Sequence, residues 1–215
     1  MDKALERRLH RNYPSVFNEL MAGSELSKYC QMGCGDGWYH IIDVAAALLA
    51  IHSPYAEAVQ IKEKFGMLRF YQCNADDYTN GVIQMADLVS GRTCEQCGNP
   101  GLLYSASGWM QTHCIGHATP ELSANTVHNA STRKIRSIGY GWSRLINGLQ
   151  DLIDRGLEIE PKQKLKLINK IVDGRLQVKL IGEHEVARGA VDFVNRYATK
   201  IDQDSGACQS IHDSC

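Results

Sequence analysis

The sequence predicts an α+β fold built from two degenerate helix–hairpin–helix units in tandem, with a small zinc ribbon after the first unit. Three observations support this prediction. Apolar residues recur at helical spacing in four segments, and alternating segments interrupted by glycine lie between them. The tetrapeptides Gly35–Trp38 and Gly139–Trp142 share the pattern Gly-x-Gly-Trp, which indicates an internal repeat. A Cys-x2-Cys pair and a Cys-x2-His pair lie between the two halves.

The first half begins at a glycine-rich turn. Asp36 in this turn is a candidate helix N-cap, and apolar residues then recur at helical spacing up to about His52. Pro54 ends this helix, and two alternating segments on either side of Gly66 predict a β-hairpin. A second helical pattern follows and is carried by Val82, Ile83, Met85, Ala86 and Val89.

The second half repeats the same order of elements. An amphipathic helix is predicted from Trp142 onwards, followed by a hairpin and a further helix. These recurrences favour a tandem duplication with a period near 105 residues over chance repetition of a common pattern. The matched positions are Gly66 with Gly174 and Gly81 with Gly189, both 108 residues apart, and Ser90–Cys94 with Ser205–Cys208.

Six segments follow from this organisation. A stretch rich in Ser, Thr and Asn serves as the linker between the halves. The predicted boundaries are 1–29 for an N-terminal helical segment, 30–93 for the first α+β unit, 94–117 for the zinc ribbon, 118–137 for the linker, 138–204 for the second unit and 205–215 for a Cys/His tail.

Composition excludes several classes of protein. The 215 residues carry 23 basic and 24 acidic side chains, and 44% are hydrophobic, which is typical of a globular protein and excludes a uniformly basic nucleic-acid-binding protein. The longest apolar run, Val44–Ile51, is too short to span a bilayer, so no membrane partner is expected. Charges near the N-terminus stand where a signal peptide has its apolar stretch, so a cytoplasmic location is expected.

Charge differs between the two halves. Residues 12–117 carry 5 basic and 10 acidic side chains, whereas residues 133–200 carry 14 basic and 8 acidic ones. Two solvated surfaces of different sign would explain this pattern without any partner, and this interpretation is preferred. An acidic module beside a basic one, each with its own partner, is the alternative.

The cysteines carry the strongest chemical signal. Cys94, Cys97, Cys114 and His117 form a Cys-x2-Cys-x16-Cys-x2-His pattern, which fits one structural Zn²⁺ held by three thiolates and an imidazole. In a cytoplasm, paired cysteines are metal ligands more often than disulfides. His113 is the alternative fourth ligand, and a redox Cys-x2-Cys pair is the alternative chemistry.

The other cysteines give weaker signals. Cys208, His212 and Cys215 offer three potential ligands for a second metal, but a tail without metal is favoured. Cys30, Cys34 and Cys73 could also contribute ligands, although buried thiols that behave as small apolar groups are commoner.

Three segments resemble a known group of proteins. They are Cys34–Trp38, Gln60–Tyr71 and Cys94–Gly101, and together with Gly108-Trp109 and Cys114–His117 they resemble bacterial and phage or prophage hypothetical proteins with CGDGW, VKEKFGxLRFY and CExCGxPG motifs. The resemblance covers about residues 30–118, roughly half of the chain. It implies a phage or prophage context and therefore a host cytoplasm, but it implies no activity.

The predicted hairpin is a candidate site for an anionic ligand. In an alternating strand Lys62 and Lys64 share a face, and Arg69 on the next strand could join them to hold a phosphate, carboxylate or nucleotide. Asp36 and Trp38 could line the same area. A solvated hairpin with a Glu63–Arg69 pair, and a Trp38 buried in the core, form the preferred alternative.

Three functions are compatible with these features. The preferred one is a zinc-stabilised, non-catalytic protein that binds and modulates a host protein, in host takeover or counter-defence. A nucleic-acid-binding zinc-ribbon regulator is the second, and an enzyme or sequestering protein for a nucleotide or small phosphorylated ligand, with Asp36 or His40 as acid or base, is the third. The candidate nucleic-acid contacts are Arg133, Lys134, Arg136 and Arg144, supplemented by Lys162, Lys164, Lys166 and Lys170.

Overall fold

A computed structural model describes residues 1–18, 32–120, 138–157 and 164–210. Within these ranges the predicted α+β class is confirmed, because five α-helices and three antiparallel strand pairs are present. The helices are α1 (Lys3–Asn12), α2 (Tyr39–His52), α3 (Asp77–Ser90), α4 (Tyr140–Gly156) and α5 (Glu185–Tyr197). The strands are β1 (Glu57–Lys64), β2 (Met67–Cys73), β3 (Leu102–Ala106), β4 (Trp109–His113), β5 (Lys166–Val172) and β6 (Arg175–Ile181).

Each strand pair is a hairpin closed by a two-residue turn. The turns are Phe65-Gly66, Ser107-Gly108 and Asp173-Gly174, and both residues of each turn have positive φ values, between 49° and 84°. Turns of this kind match the right-handed twist of the flanking strands, and glycine at the second position reduces the strain. The hairpin predicted around Gly66 is therefore present, and two others share its turn.

Helix α2 is the central element of the first half. Its residues from Tyr39 to Leu49 are all buried, as expected for a helix that is apolar on every side. Trp38, which precedes the helix, is completely buried, and its indole N–H donates to the carbonyl oxygen of Thr93 at 2.9 Å. The corresponding Trp142 donates to the carbonyl oxygen of Ala198 at 3.1 Å.

Asp36 does not cap this helix. A short 3₁₀ turn spans Asp36–Trp38, and α2 begins after it at Tyr39. The Asp36 carboxylate instead accepts a hydrogen bond from the backbone N–H of Asp2 at 2.6 Å. The N-terminal ammonium of Met1 also donates to the carbonyl oxygen of Met32 at 3.1 Å. The Asp36 carboxylate, which was predicted to cap α2, therefore binds the backbone near the N-terminus instead.

Helices α3 and α5 cross in direct backbone contact. A Cβ atom added at Gly81 would lie 1.9 Å from the carbonyl oxygen of Val186, and one added at Gly189 would lie 2.1 Å from that of Tyr78. The Tyr78 hydroxyl donates to the Asp192 carboxylate across this crossing at 3.0 Å. A single apolar cluster extends through both halves of the chain around the crossing.

Several predicted segments fall partly outside the described residues. The structure describes only 118–120 of the predicted linker and only 205–210 of the predicted tail, and the boundary at 29/30 lies in the undescribed range 19–31. Among the helices of the described ranges, none combines the length and apolar character needed to cross a membrane.

Substitution of Gly81 by valine tests the helix crossing. We expect Gly81→Val to lower the free energy of unfolding by about 3 kcal/mol, because the new side chain would overlap backbone atoms of α5 that cannot rotate away. Gln84→Val, an exposed position on the same helix, is the matched control and should change the stability by less than about 1 kcal/mol. Chemical denaturation measures both, and equal destabilisation by the two variants would contradict the crossing.

Candidate metal centre

The first pair of ligands lies on a tight turn directly after α3. Within this turn the N–H of Gly98 donates to the carbonyl oxygen of Cys94 at 2.9 Å, and the φ of Gly98 is +76°. A side chain at this position would be strained, which explains the glycine after the second cysteine. The turn directs the sulfur atoms of Cys94 and Cys97 towards the same point.

The β3–β4 hairpin brings the second pair to this point. Its register pairs Leu102, the first residue of β3, with His113, the last residue of β4. Cys114 therefore follows at the same end of the hairpin at which the chain enters it. The N–H of Glu95 donates to the carbonyl oxygen of Thr112 at 3.0 Å and joins the turn to the hairpin. Cys114 and His117 then follow on a turn of their own.

The four side chains can hold a metal ion. The Sγ atoms of Cys97 and Cys114 are 3.7 Å apart, and the Nδ1 of His117 lies 3.3 Å from the Cys114 sulfur and 3.5 Å from the Cys94 sulfur. All four ligand atoms lie within 4.8 Å of one another. Zn–S bonds of about 2.3 Å in a tetrahedron place two sulfurs about 3.8 Å apart, so the spacing fits such a centre.

The thiols of the cluster have shifted pKa values. Partial burial and the neighbouring thiols raise the pKa of Cys97 to about 12. Burial also tends to raise the pKa of Cys114, but hydrogen bonds from Cys97, the Gly116 N–H and His117 outweigh it and lower the pKa to about 7. Metal binding would release the protons of the thiols.

His113 is not the fourth ligand, although it is adjacent to Cys114. It is buried, it does not belong to the group that surrounds the candidate metal position, and desolvation lowers its pKa. His113 is the last residue of β4, whereas His117 lies in the turn after the strand, so the two imidazoles point in different directions. Their spacing from Cys114 in the sequence does not show which of them faces the other three ligands.

The other cysteines of the described ranges form no second cluster of this kind. Cys34 is buried, and desolvation raises the pKa of its thiol to about 12, as expected for an inert core thiol. The Cys73 thiol lies 3.8 Å from the carbonyl oxygen of Glu57. Cys208 lies 3.6 Å from the Tyr197 hydroxyl. The predicted contributions of Cys30, His212 and Cys215 lie outside the described residues.

A turn at 202–206 repeats the backbone hydrogen bond of the turn at 94–98, which carries Cys94 and Cys97. The N–H of Gly206 donates to the carbonyl oxygen of Asp202 at 2.9 Å, and the φ of Gly206 is +75°. In place of a metal, the Asp202 carboxylate accepts bonds from the N–H and hydroxyl of Ser205, both at 2.7 Å. Asp202 and Ser205 thus occupy the positions in this turn that Cys94 and Cys97 occupy in the turn at 94–98.

This turn corrects one of the sequence matches. Gly206 corresponds to Gly98, so the match of Ser205–Cys208 with Ser90–Cys94 is wrong by several residues. Cys208 corresponds to Pro100, because the bridge between Ile201 and Cys208 repeats the bridge between Thr93 and Pro100. The same offset of 108 residues separates Gly66 from Gly174 and Gly81 from Gly189, and it relates Gly98 to Gly206 as well.

The predicted anion site on the first hairpin is not assembled as a cluster of three cations. Lys62 and Arg69 are cross-strand partners, as expected, but the Arg69 guanidinium donates to the Asp87 carboxylate at 3.0 Å. This ion pair replaces the Glu63–Arg69 pair, since the Glu63 carboxylate accepts from the N–H of Gly66 at 2.6 Å. Trp38 is buried and cannot stack on a ligand, and Asp36 binds the N-terminal backbone.

The two lysines of the hairpin contact aromatic rings instead. The Lys62 ammonium lies 5.4 Å from the centre of the Tyr71 ring, and that of Lys64 lies 5.3 Å from the centre of the Phe65 ring. Contacts of this length are compatible with cation–π interactions.

Arg144, a candidate nucleic-acid contact, makes a hydrogen bond inside the protein. Its guanidinium donates to the carbonyl oxygen of Arg92, and burial lowers its pKa. Arg133, Lys134, Arg136 and Lys162 lie outside the described residues, while Lys164, Lys166 and Lys170 are exposed. His40 is buried at the start of α2 and lies 3.2 Å from the carbonyl oxygen of Gln209, so it is not positioned as an accessible acid or base.

Comparison with known proteins gives no relative: no family model, no curated protein and no solved structure matches this chain.

Loss of one ligand tests the metal centre. We expect Cys97→Ser to weaken metal binding by more than about a hundredfold, because loss of outer-shell partners alone costs 10–100-fold. Elemental analysis and competition with a chelator measure this change. Cys73→Ser, which replaces a half-buried thiol outside the cluster, should leave the metal content unchanged. Equal metal content in both variants would contradict the assignment.

Asp87 predicts a pH dependence of stability. Burial raises its pKa to about 6 although Arg69 opposes the shift. Because the folded pKa lies above the unfolded value of 3.8, its protonation stabilises the fold at low pH, and this stabilisation is lost as the pH rises through about 6. The melting temperature of the wild type relative to Asp87→Asn should therefore fall as the pH rises from about 4 to about 6, and level off above that.

The exposed carboxylate of Asp77, on the same helix, supplies the control. Asp77→Asn should leave the shape of the pH profile unchanged. A constant difference between the wild type and Asp87→Asn across this range would show that the Asp87 carboxylate is not desolvated.

Proposed function

We propose that the protein is a zinc-stabilised, non-catalytic binding protein that acts as a phage or prophage accessory factor and modulates a host protein. The observation that carries this proposal is the four-ligand cluster at the base of the β3–β4 hairpin, whose opposite end presents exposed apolar side chains. The phage context and the host cytoplasm rest on the motif resemblance alone, and host takeover or counter-defence follows from that context.

The donor set favours a structural zinc ion. Three thiolates and one imidazole are a common ligand set of structural zinc sites, and soft sulfur ligands disfavour magnesium and calcium. Four protein ligands complete a tetrahedron and leave no position for a substrate or a reactive water. The ion would hold the turn at 94–98 against the end of β4 and thereby form a zinc ribbon.

The exposed surface at the end of the hairpin favours a protein partner. We define the ribbon-tip surface as Lys64, Phe65, Trp109 and Met110, which line one cleft between the turns of the first two hairpins. Trp109 is 75% exposed and Phe65 is 56% exposed. Trp and Phe are enriched in protein interfaces, and Trp is a frequent hot-spot residue.

The ribbon-tip surface is held in a defined shape. The Thr112 hydroxyl donates to the carbonyl oxygen of Gly66 at 2.6 Å and joins the two hairpins. The zinc ion would immobilise the other end of the same hairpin. A surface that is ordered before binding loses less conformational entropy on association, which supports a recognition role.

The recurring geometry supports a tandem duplication. Three features recur in the same order in the two halves. They are the hydrogen bond of the tryptophan, the turn of the hairpin, and the turn at 94–98 or 202–206. The glycine contacts of α3 and α5 are reciprocal, as in a two-fold symmetric dimer. We infer that one unit was duplicated and that Asp202 and Ser205 have replaced the first pair of cysteines in the second copy.

A nucleic-acid partner is the second candidate. Lys166, Lys170 and Lys179 are all exposed, and the register of β5 and β6 places them on one face. A cluster of this kind could contact phosphates. A site for a small phosphorylated ligand has less support, because Arg69 is paired with Asp87 and Trp38 is buried.

Capture experiments test the ribbon-tip surface. We expect the zinc-loaded wild type to retain one host protein specifically, and Phe65→Ala/Trp109→Ala to lose that protein while it keeps its zinc. Tyr55→Ala removes another exposed aromatic ring, in the turn after α2, and should retain the protein. The loss on alanine substitution should be tenfold or more, about 1.4 kcal/mol.

Two results would contradict this function. Retention of the same protein by all variants would exclude the ribbon-tip surface. Capture that disappears with nuclease, together with affinity for random duplexes that falls steeply with salt, would favour nucleic acid instead.

A further inference from the structure

A small cavity lies where α4 packs against the end of α3. The two helices are in close contact nearby, since a Cβ added at Gly148 would lie 2.6 Å from the side chain of Leu88. The cavity has a volume of about 20 Å³, enough to hold a water molecule or an ion of similar size. We call it the interhelix cavity. Its lining includes the aliphatic side chains of Leu88, Leu145 and Ile201 and the arginines Arg92 and Arg144.

The two arginines are linked through each other's backbone. Nη1 of Arg92 donates to the carbonyl oxygen of Arg144 at 3.4 Å, and Nη2 of Arg144 donates to the carbonyl oxygen of Arg92. These reciprocal bonds fix both side chains at the junction of α3 and α4. Two positive charges are therefore held beside one cavity.

The charge of Arg92 is compensated, whereas that of Arg144 is not. Arg92 forms an ion pair with the Asp151 carboxylate at 3.2 Å. Within the part of the chain that the structure describes, no carboxylate pairs with Arg144, and Asp202 in the neighbouring turn accepts from Ser205 instead. Desolvation lowers the pKa of Arg144, and the charge of Arg92 lowers it further. A charge that is removed from water without a partner costs free energy, which an anion beside it would offset.

The remaining donors of Arg144 lie at the wall of the interhelix cavity. The bond from Nη2 is the one hydrogen bond that this guanidinium makes to the described residues, so Nη1 and Nε have no acceptor among them. The Nη1 atom lies 3.8 Å from the position that a Cβ at Gly206 would take, and Gly206 also lines the cavity. The geometry thus offers a charged donor to any acceptor in the cavity.

We propose that the interhelix cavity binds a monovalent anion of the size of chloride. Nη1 of Arg144 donates to the ion, and Arg92 supplies the second positive charge. The aliphatic side chains in the wall exclude water and thereby strengthen the attraction between the ion and the guanidinium groups. Phosphate and sulfate have five heavy atoms each and are too large for this volume. The ion would connect α4 to the end of α3 and thus one half of the chain to the other.

This inference goes beyond the proposed function and uses neither the metal ligands nor the ribbon-tip surface. It is tested on the full-length protein in mixtures of sodium chloride and sodium gluconate of constant total concentration, because gluconate is too large for the cavity. An ion that binds only the folded state stabilises it in proportion to its occupancy. We expect the folding equilibrium constant, measured by chemical denaturation, to rise about tenfold between chloride-free buffer and about 0.2 M chloride.

Arg144→Met removes the charge and keeps an unbranched side chain of similar length. In chloride-free buffer this variant should be at least as stable as the wild type, because the uncompensated charge is gone, and added chloride should not stabilise it. The Arg92 carbonyl oxygen still accepts from the N–H of Gly101 in the variant. Arg188→Met removes an exposed guanidinium from α5 and is the matched control, which should respond to chloride as the wild type does.

Bromide locates the ion directly. In crystals of the wild type grown with bromide in place of chloride, we expect an anomalous scattering peak beside Nη1 of Arg144. This measurement needs no variant, so it decides the question even if Arg144→Met does not fold.

Three results would overturn the proposal. They are an equal stability of the wild type at all chloride concentrations, an equal response of the wild type and Arg144→Met to chloride, and bromide crystals without a peak in the interhelix cavity. In each case a water molecule would be sufficient to fill the cavity.

Discussion

The backbone contact between α3 and α5 is the constraint on which the rest of the structure depends. At Gly81 and Gly189 the helices approach so closely that no side chain fits between them. This contact fixes the relative position of the two halves. It also allows α2 to bridge to the second half, where the Asp43 carboxylate lies 3.3 Å from the Lys200 ammonium and His40 contacts the backbone of Gln209.

A metal bound by the four-ligand cluster would support a part of the chain that has little apolar core of its own. In the β3–β4 hairpin, Tyr104 is the buried large apolar side chain, while Leu102 and Trp109 are exposed. Small structures of this type require a metal or disulfide because their buried area cannot offset the loss of chain entropy. The turn at 202–206 has no such hairpin to hold among the described residues, and side-chain hydrogen bonds are sufficient there.

Two arginines show how bonds inside the protein occupy candidate binding groups. Arg69 and Arg144 both stand among candidate binding residues in the sequence, but one pairs with Asp87 and the other donates to the backbone of Arg92. Both guanidinium groups therefore stabilise contacts inside the protein. The aromatic rings of the ribbon-tip surface and the lysines of β5 and β6 are exposed instead.

The sequence alone determined the α+β class, the first hairpin and the four metal ligands, because each depends on local spacing that the chain itself displays. It predicted His117 as the fourth ligand but left His113 as an alternative, and it misplaced the turn at 202–206, since Asp and Ser have replaced the cysteines there. Only the tertiary structure decided that Trp38 is buried and that the Arg144 guanidinium donates to the backbone of Arg92. These properties depend on elements far apart in the chain, whose approach at Gly81 and Gly189 no local pattern reveals.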